Sequence, residues 1–110
     1  MYFEVVSSKN LTKSTKDALA RQTTKLVATT QKELENGAYS PKTKKSRPRF
    51  KFDRSYGEYP HVAVLIRITS YRTRQWPPKI RADFDDSLKE IFQSVITGSD
   101  DIDIYYVDLN

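Results

Sequence analysis

The stretch His61-Val62-Ala63-Val64-Leu65-Ile66-Arg67-Ile68-Thr69-Ser70-Tyr71 decides the fold. Val62, Val64, Ile66 and Ile68 recur at period two, as one face of a strand requires. Ala63 and Leu65 make the other face partly apolar, which places the segment inside a sheet rather than at its edge.

On the amino-terminal side, Ser55-Tyr56-Gly57-Glu58-Tyr59-Pro60 reads as a turn. Before it, Phe50 and Phe52 alternate with Arg49, Lys51 and Asp53, the pattern of a half-buried strand. Tyr2 to Ser7 is a further strand of β-branched and aromatic residues. Between these two strands, Ala18, Leu19, Leu26, Val27 and Leu34, with Thr23 and Thr30, fall on one face of period 3.6. The expectation is a helix over residues 14–35, started by Ser14 with Asp17 and ended by Asn36-Gly37.

On the carboxyl-terminal side, Tyr71 to Arg81 reads as a basic loop stiffened by Pro77-Pro78. Phe84, Leu88, Ile91, Phe92, Val95 and Ile96 then form a second amphipathic helix, stopped by Gly98. Ile102 to Val107 alternates as a last strand. The fold class is therefore α+β: a single domain over residues 1–110, in the order β-α-β-β-α-β. Its small mixed sheet carries both helices on one face, and no internal repeat is evident.

Composition narrows the functions. There is no cysteine and one histidine, His61, so disulfides, thiolate metal sites and His-rich metal sites are excluded. No run approaches the ~20 apolar residues of a membrane span. The opening residues lack the basic flank and apolar run of a signal peptide, so the expected location is cytoplasmic. The net charge of +5 is unevenly spread. Residues 83–110 hold eight acidic residues against Lys89, whereas residues 1–82 hold 18 Lys and Arg against six acidic residues. Such a basic body attracts polyanions, although solubility alone also accounts for charge of this kind.

Two constellations could carry chemistry. Asp83 and Asp85, with Asp86, sit at the expected start of the second helix, and Lys89 lies one turn beyond Asp85. Asp101, after Asp100, precedes the final strand, and the topology could bring the two acidic ends together. Hard cations such as Mg²⁺ take carboxylate oxygens, and such an ion can polarise a phosphodiester and activate water. The same aspartates also read as ordinary helix caps, with Lys89 as an i,i+4 partner.

The second constellation is basic. Lys42, Lys44, Lys45, Arg47, Arg49, Lys51 and Arg54 form one run. Arg72, Arg74, Lys79 and Arg81 form another, interleaved with Tyr71 and Trp76. The loops involved span residues 38–49 and 71–81. Cations position phosphate backbones and aromatics stack on unpaired bases, although Trp76 packed on the core is the alternative. Only three glycines are present, and no phosphate-cradling glycine loop exists.

The segment Arg81-Ala82-Asp83-Phe84-Asp85-Asp86-Ser87-Leu88-Lys89, followed by Phe92, Gly98, Asp100-Asp101 and Ile104, resembles the RusA-type Holliday junction resolvases. The resemblance implies a small, dimeric, Mg²⁺-dependent endonuclease, of a kind common in bacteriophages, that also accepts Mn²⁺. Carried over, Asp83, Asp85 and Asp101 would hold the metal, Lys89 would be the catalytic lysine, and the basic loops would grip branched DNA. The expectation is therefore a homodimeric junction-cutting enzyme. The alternatives are a non-catalytic phage nucleic-acid-binding module, a small virion protein, or an inhibitor that binds another protein through its acidic end.

Overall fold

The computed structural model of the chain describes residues 1–36, 47–54, 64–71, 73–96 and 101–109. In chain order the elements are β1 (Tyr2–Ser7), α1 (Lys13–Asn36), β2 (Arg49–Arg54), β3 (Val64–Tyr71), a 3₁₀ turn (Thr73–Gln75), α2 (Pro78–Val95) and β4 (Ile102–Leu109). The small α+β fold in β-α-β-β-α-β order is as the periodicities require. His61 to Ala63, the first residues of the deciding stretch, lie outside the described residues, as does the turn before them.

The four strands form one mixed sheet in the order β2-β1-β3-β4. β1 and β3 are central and antiparallel, with Phe3 opposite Ile68 and Val5 opposite Ile66. β2 runs parallel to β1, and β4 runs parallel to β3. The chain therefore contains two βαβ units, β1-α1-β2 and β3-α2-β4, joined back to back along their first strands. The sequence shows no repeat, but the backbone is duplicated. Ser7 and Ser70 are equivalent in the two units: each is the last helix-facing residue of its central strand, and both are buried. Ser7 pairs with Arg54, and Ser70 pairs with Asp108.

Both helices pack on one face of the sheet. Phe3, Val5, Val64, Ile66 and Ile68 meet Leu19, Val27, Phe84, Leu88 and Phe92 in one core. Each such Leu, Ile or Phe gains about 1.5–3 kcal/mol by leaving water. On α1 the buried residues are Leu19, Thr23, Val27, Thr30 and Leu34, spaced three or four apart as an amphipathic helix demands. Phe3, Phe50 and Phe52 stack in series, with ring centroids 5.1 and 6.2 Å apart, and this fastens β2 to the core.

Both helix starts differ from expectation. The Thr12 hydroxyl, rather than Ser14 with Asp17, caps α1 by accepting the Thr15 amide at 3.2 Å. α2 begins at Pro78, before the expected first turn. A proline at the first helical position costs nothing, because its missing N–H has no partner there anyway. Much of the expected basic loop is therefore helix. Among the described residues no helix is long and apolar enough to cross a membrane.

Candidate active site

Because α2 starts early, Asp83 and Asp85 lie in its second turn rather than at its tip. Arg81 and Asp85, four residues apart, share a half-buried flank of the helix. Across from this flank runs β4, whose alternation turns Ile104 and Tyr106 inward against the core. The Tyr106 hydroxyl donates to Asp85 Oδ1 at 2.5 Å. The Arg81 guanidinium carbon lies 4.5 Å from the centre of the Tyr106 ring. The short contact is typical of a hydroxyl facing a carboxylate.

Burial pushes the Tyr106 pKa well above the ordinary phenol value. Its hydrogen bond to Asp85 and the Asp85 charge add to the rise, and Arg81 opposes it. Nearby, the fully buried Thr73 donates to Asp108 Oδ1, which ties the 3₁₀ turn to β4. The Trp76 ring meets Phe84 edge-on at 5.5 Å and 88°. The register of β1 with β3 brings Met1 to the same end of the molecule, beside Ser70. Desolvation lowers the pKa of the Met1 amino group.

The carboxylates expected to share a metal do not converge. Asp101 precedes β4, which pairs from its first residue with Val64 at the far end of β3. Five residues at ~3.3 Å each separate Asp101 from Tyr106, so it stands roughly 16 Å along the strand from the partner of Asp85. Asp83, Lys89 and Asp101 are all exposed. Among the described residues no group of three or more His, Cys, Asp or Glu is placed to hold a metal ion.

Among the described residues, the basic side chains of the first run lie on or beside β2, and those of the second run on α2. Arg47, Arg49, Lys51 and Lys79 are exposed, and Lys51 pairs with Asp53 at 3.6 Å. Trp76 packs on Phe84. Lys42, Lys44, Lys45, Arg72 and the Arg74 side chain lie outside the described residues.

No protein-family model matches the sequence, and no curated relative does. Similar solved structures do exist. A fused 4-OT (4-oxalocrotonate tautomerase) forming a symmetric trimer aligns with a TM-score of 0.69 at 16% identity, covering 99% of this chain and 87% of that one. The macrophage migration inhibitory factor-like protein of Entamoeba histolytica aligns at 0.69 and 12% identity, covering 99% and 88%. FG41 malonate semialdehyde decarboxylase, solved with 3-bromopropiolate, aligns at 0.65 and 8% identity, covering 99% and 83%.

The chain has the tautomerase fold. At these identities the likeness concerns the fold alone. It overturns the resemblance to RusA-type resolvases, because the neighbours are tautomerase-like proteins rather than nucleases. The expected Mg²⁺-dependent endodeoxyribonuclease, with its roles at Holliday junctions and in DNA recombination and repair, is corrected on the same finding. Neither the nucleic-acid-binding module nor the virion protein gains support, and no finding supports a DNA partner. The sequence motif misled because Asp-x-Asp with a following lysine also arises on any charged helix flank.

Sequence reasoning left Tyr106, Thr73 and Asp108 without a role. The signal for Tyr106 was its place in the β4 alternation: a tyrosine on the inward face needs a partner for its hydroxyl.

Proposed function

We propose that the chain catalyses proton transfer on a small carboxylate that carries a carbonyl group, interconverting its keto and enol forms at Arg81, Asp85 and Tyr106. The observation that carries this reading is the 2.5 Å hydrogen bond from Tyr106 to Asp85 beside the Arg81 guanidinium. Enolisation needs a base at carbon and a proton donor at oxygen. The Asp85 carboxylate takes the proton next to the carbonyl, and that C–H electron pair becomes the C–C double bond. The Tyr106 hydroxyl gives its proton to the carbonyl oxygen. When the enol leaves, Asp85 passes its new proton to the Tyr106 oxygen across their hydrogen bond, which restores both groups, and the same steps in reverse return the keto form. With its pKa raised by burial and by Asp85, the Tyr106 phenol is protonated throughout the neutral range. Arg81 supplies the charge that docks the substrate carboxylate.

The fold neighbours support a small acidic substrate, since they include a 4-OT and a malonate semialdehyde decarboxylase. The test is deuterium incorporation next to the carbonyl of small 2-oxo acids in D₂O, followed by NMR. Wild type should exceed buffer, and Tyr106→Phe and Asp85→Asn should each lower the rate by about 10²-fold or more. Exchange no faster than buffer, or variants equal to wild type, would sink the reading.

We also infer a homo-oligomer. Among the described residues no helix or strand packs on the sheet face away from the helices. That face presents Val6 beside Leu65, and Tyr105 at 56% exposure. The symmetric trimer of the fused 4-OT supports an assembly of several copies. A dimer was the expectation from sequence, and the number of copies is what light scattering would measure.

A further inference from the structure

The duplicated backbone gives the molecule a second end equivalent to the one holding Tyr106. The equivalence of Ser7 with Ser70 extends to the outer strands, so Phe52 occupies the place of Tyr106 and Arg54 that of Asp108. A pocket opens at this second end, lined by Lys9, Asn10, Lys16, Phe52, Asp53 and Arg54 among others.

The chemistry of its walls differs from that of the Tyr106 end. Three of the lining residues are cations and one is an anion, Asp53, whose charge is offset by Lys51 at 3.6 Å. The loop carrying Lys9 is fixed, because its amide donates to the buried Ser7 hydroxyl at 3.1 Å. Lys16 is held in the first turns of α1, its amide bonded to the Thr12 carbonyl at 3.0 Å. No acidic residue lies in the first turn of α1, so the positive end of the helix dipole adds to the same field.

We propose that this pocket binds a phosphate group. A carboxylate offers one charge and two oxygens, which a single arginine can satisfy. A phosphate group presents up to two charges and three or more acceptor oxygens, matching the one arginine and two lysines that line the pocket from three elements. The half-buried Phe52 ring forms an apolar wall beside the cations, where the organic part of a phosphate ester would lie. The proposal does not depend on the chemistry assigned to Tyr106, because it uses the other end of the sheet.

The test is an amide NMR titration of the full chain with inorganic phosphate, against sodium chloride of equal ionic strength. Saturable shifts confined to residues 9–16 and 52–54 are expected with phosphate and not with chloride. Lys16→Gln combined with Arg54→Gln should weaken binding by about tenfold or more. Arg47→Gln combined with Lys79→Gln removes the same charge from exposed positions elsewhere and should leave binding unchanged. Phenyl phosphate in a parallel titration separates the sources. Tighter binding than phosphate assigns an organic phosphate and equal binding assigns the free ion, and either supports the site. Linear shifts shared with chloride, or equal weakening in both double variants, would overturn it.

Discussion

The Tyr106 hydroxyl on β4 donates to the Asp85 carboxylate on α2 at 2.5 Å, a bond that closes the second βαβ unit on itself. It joins the edge strand of the sheet to the helix above it, and Arg81 flanks it from one helical turn earlier. Both side chains are half-buried, so part of the contact is withdrawn from solvent. That combination makes the bond a candidate for chemistry as well as for stability.

The first prediction concerns alkaline stability. The Tyr106 pKa is raised in the fold above the unfolded value of 10.0. Its stabilising contribution is therefore fully present below pH 10 and is lost as pH rises beyond it, because the unfolded chain then releases a proton that the folded chain retains. Tyr106→Phe should be less stable than wild type by about 1 kcal/mol at pH 8, with the gap narrowing above pH 10. Urea denaturation of both proteins from pH 8 to pH 11 measures this. A gap that stays constant would show that the fold does not raise the Tyr106 pKa.

A second prediction separates docking from chemistry. If Arg81 binds the substrate carboxylate, Arg81→Ala should raise KM by about tenfold or more while kcat changes less. Asp85→Asn should act in the opposite way, lowering kcat with KM little changed. The stability cost of Arg81→Ala should stay near ~0.5–1 kcal/mol, the usual worth of a partly exposed cation over an aromatic ring. Steady-state kinetics on a responsive 2-oxo acid decides it, and an equal fall in kcat for both variants would contradict the division of roles.

The order of elements and the central place of β3 were legible because apolar periodicity reports burial directly. Val64, Ile66 and Ile68 read as core and are fully buried. The starts of the helices were less legible. Pro78 looks like a loop residue in sequence, yet its fixed φ suits the first helical position, and this single misreading moved Asp83 and Asp85 from the helix tip into its second turn. The site itself was hardly legible. Tyr106 and Asp85 are 21 residues apart, and only the parallel pairing of β4 with β3 brings them together. The same pairing sends Asp101 to the far end, which no local pattern could disclose. Duplication was invisible too, because Phe52 and Tyr106, or Arg54 and Asp108, share a position but not a chemistry.

A third prediction tests the sheet face opposite the helices. Placing a charge there should disrupt an assembly built on it while leaving the helix-covered core untouched. Val6→Asp, beside Leu65, should shift the chain to a monomer, because burying a new carboxylate against an apolar neighbour in an interface is costly. Size-exclusion chromatography with light scattering reads the mass, and helix content by circular dichroism checks the fold. A wild type already monomeric at high micromolar concentration would refute the oligomer.

The last prediction comes from α1, where threonines occupy the buried face. Thr24 and Thr29 return their hydroxyls to the carbonyls of Ala20 and Lys25, at 2.7 and 3.0 Å. Thr23 does not. It is fully buried, and its Oγ1 has no hydrogen-bond partner among the described residues. An unpaired buried hydroxyl costs about 1–3 kcal/mol of desolvation, whereas a methyl in its place costs nothing of the kind. Thr23→Val should therefore stabilise the chain by about 1 kcal/mol and raise its Tm by roughly 4–8 °C, the shift expected of a domain near this size. Thr29→Val, at an exposed position, should change Tm by much less. Thermal unfolding of the two variants beside wild type makes the comparison. A Thr23→Val protein that melts below wild type would mean that the hydroxyl has a partner, and that the packing of α1 on the sheet differs from the arrangement described.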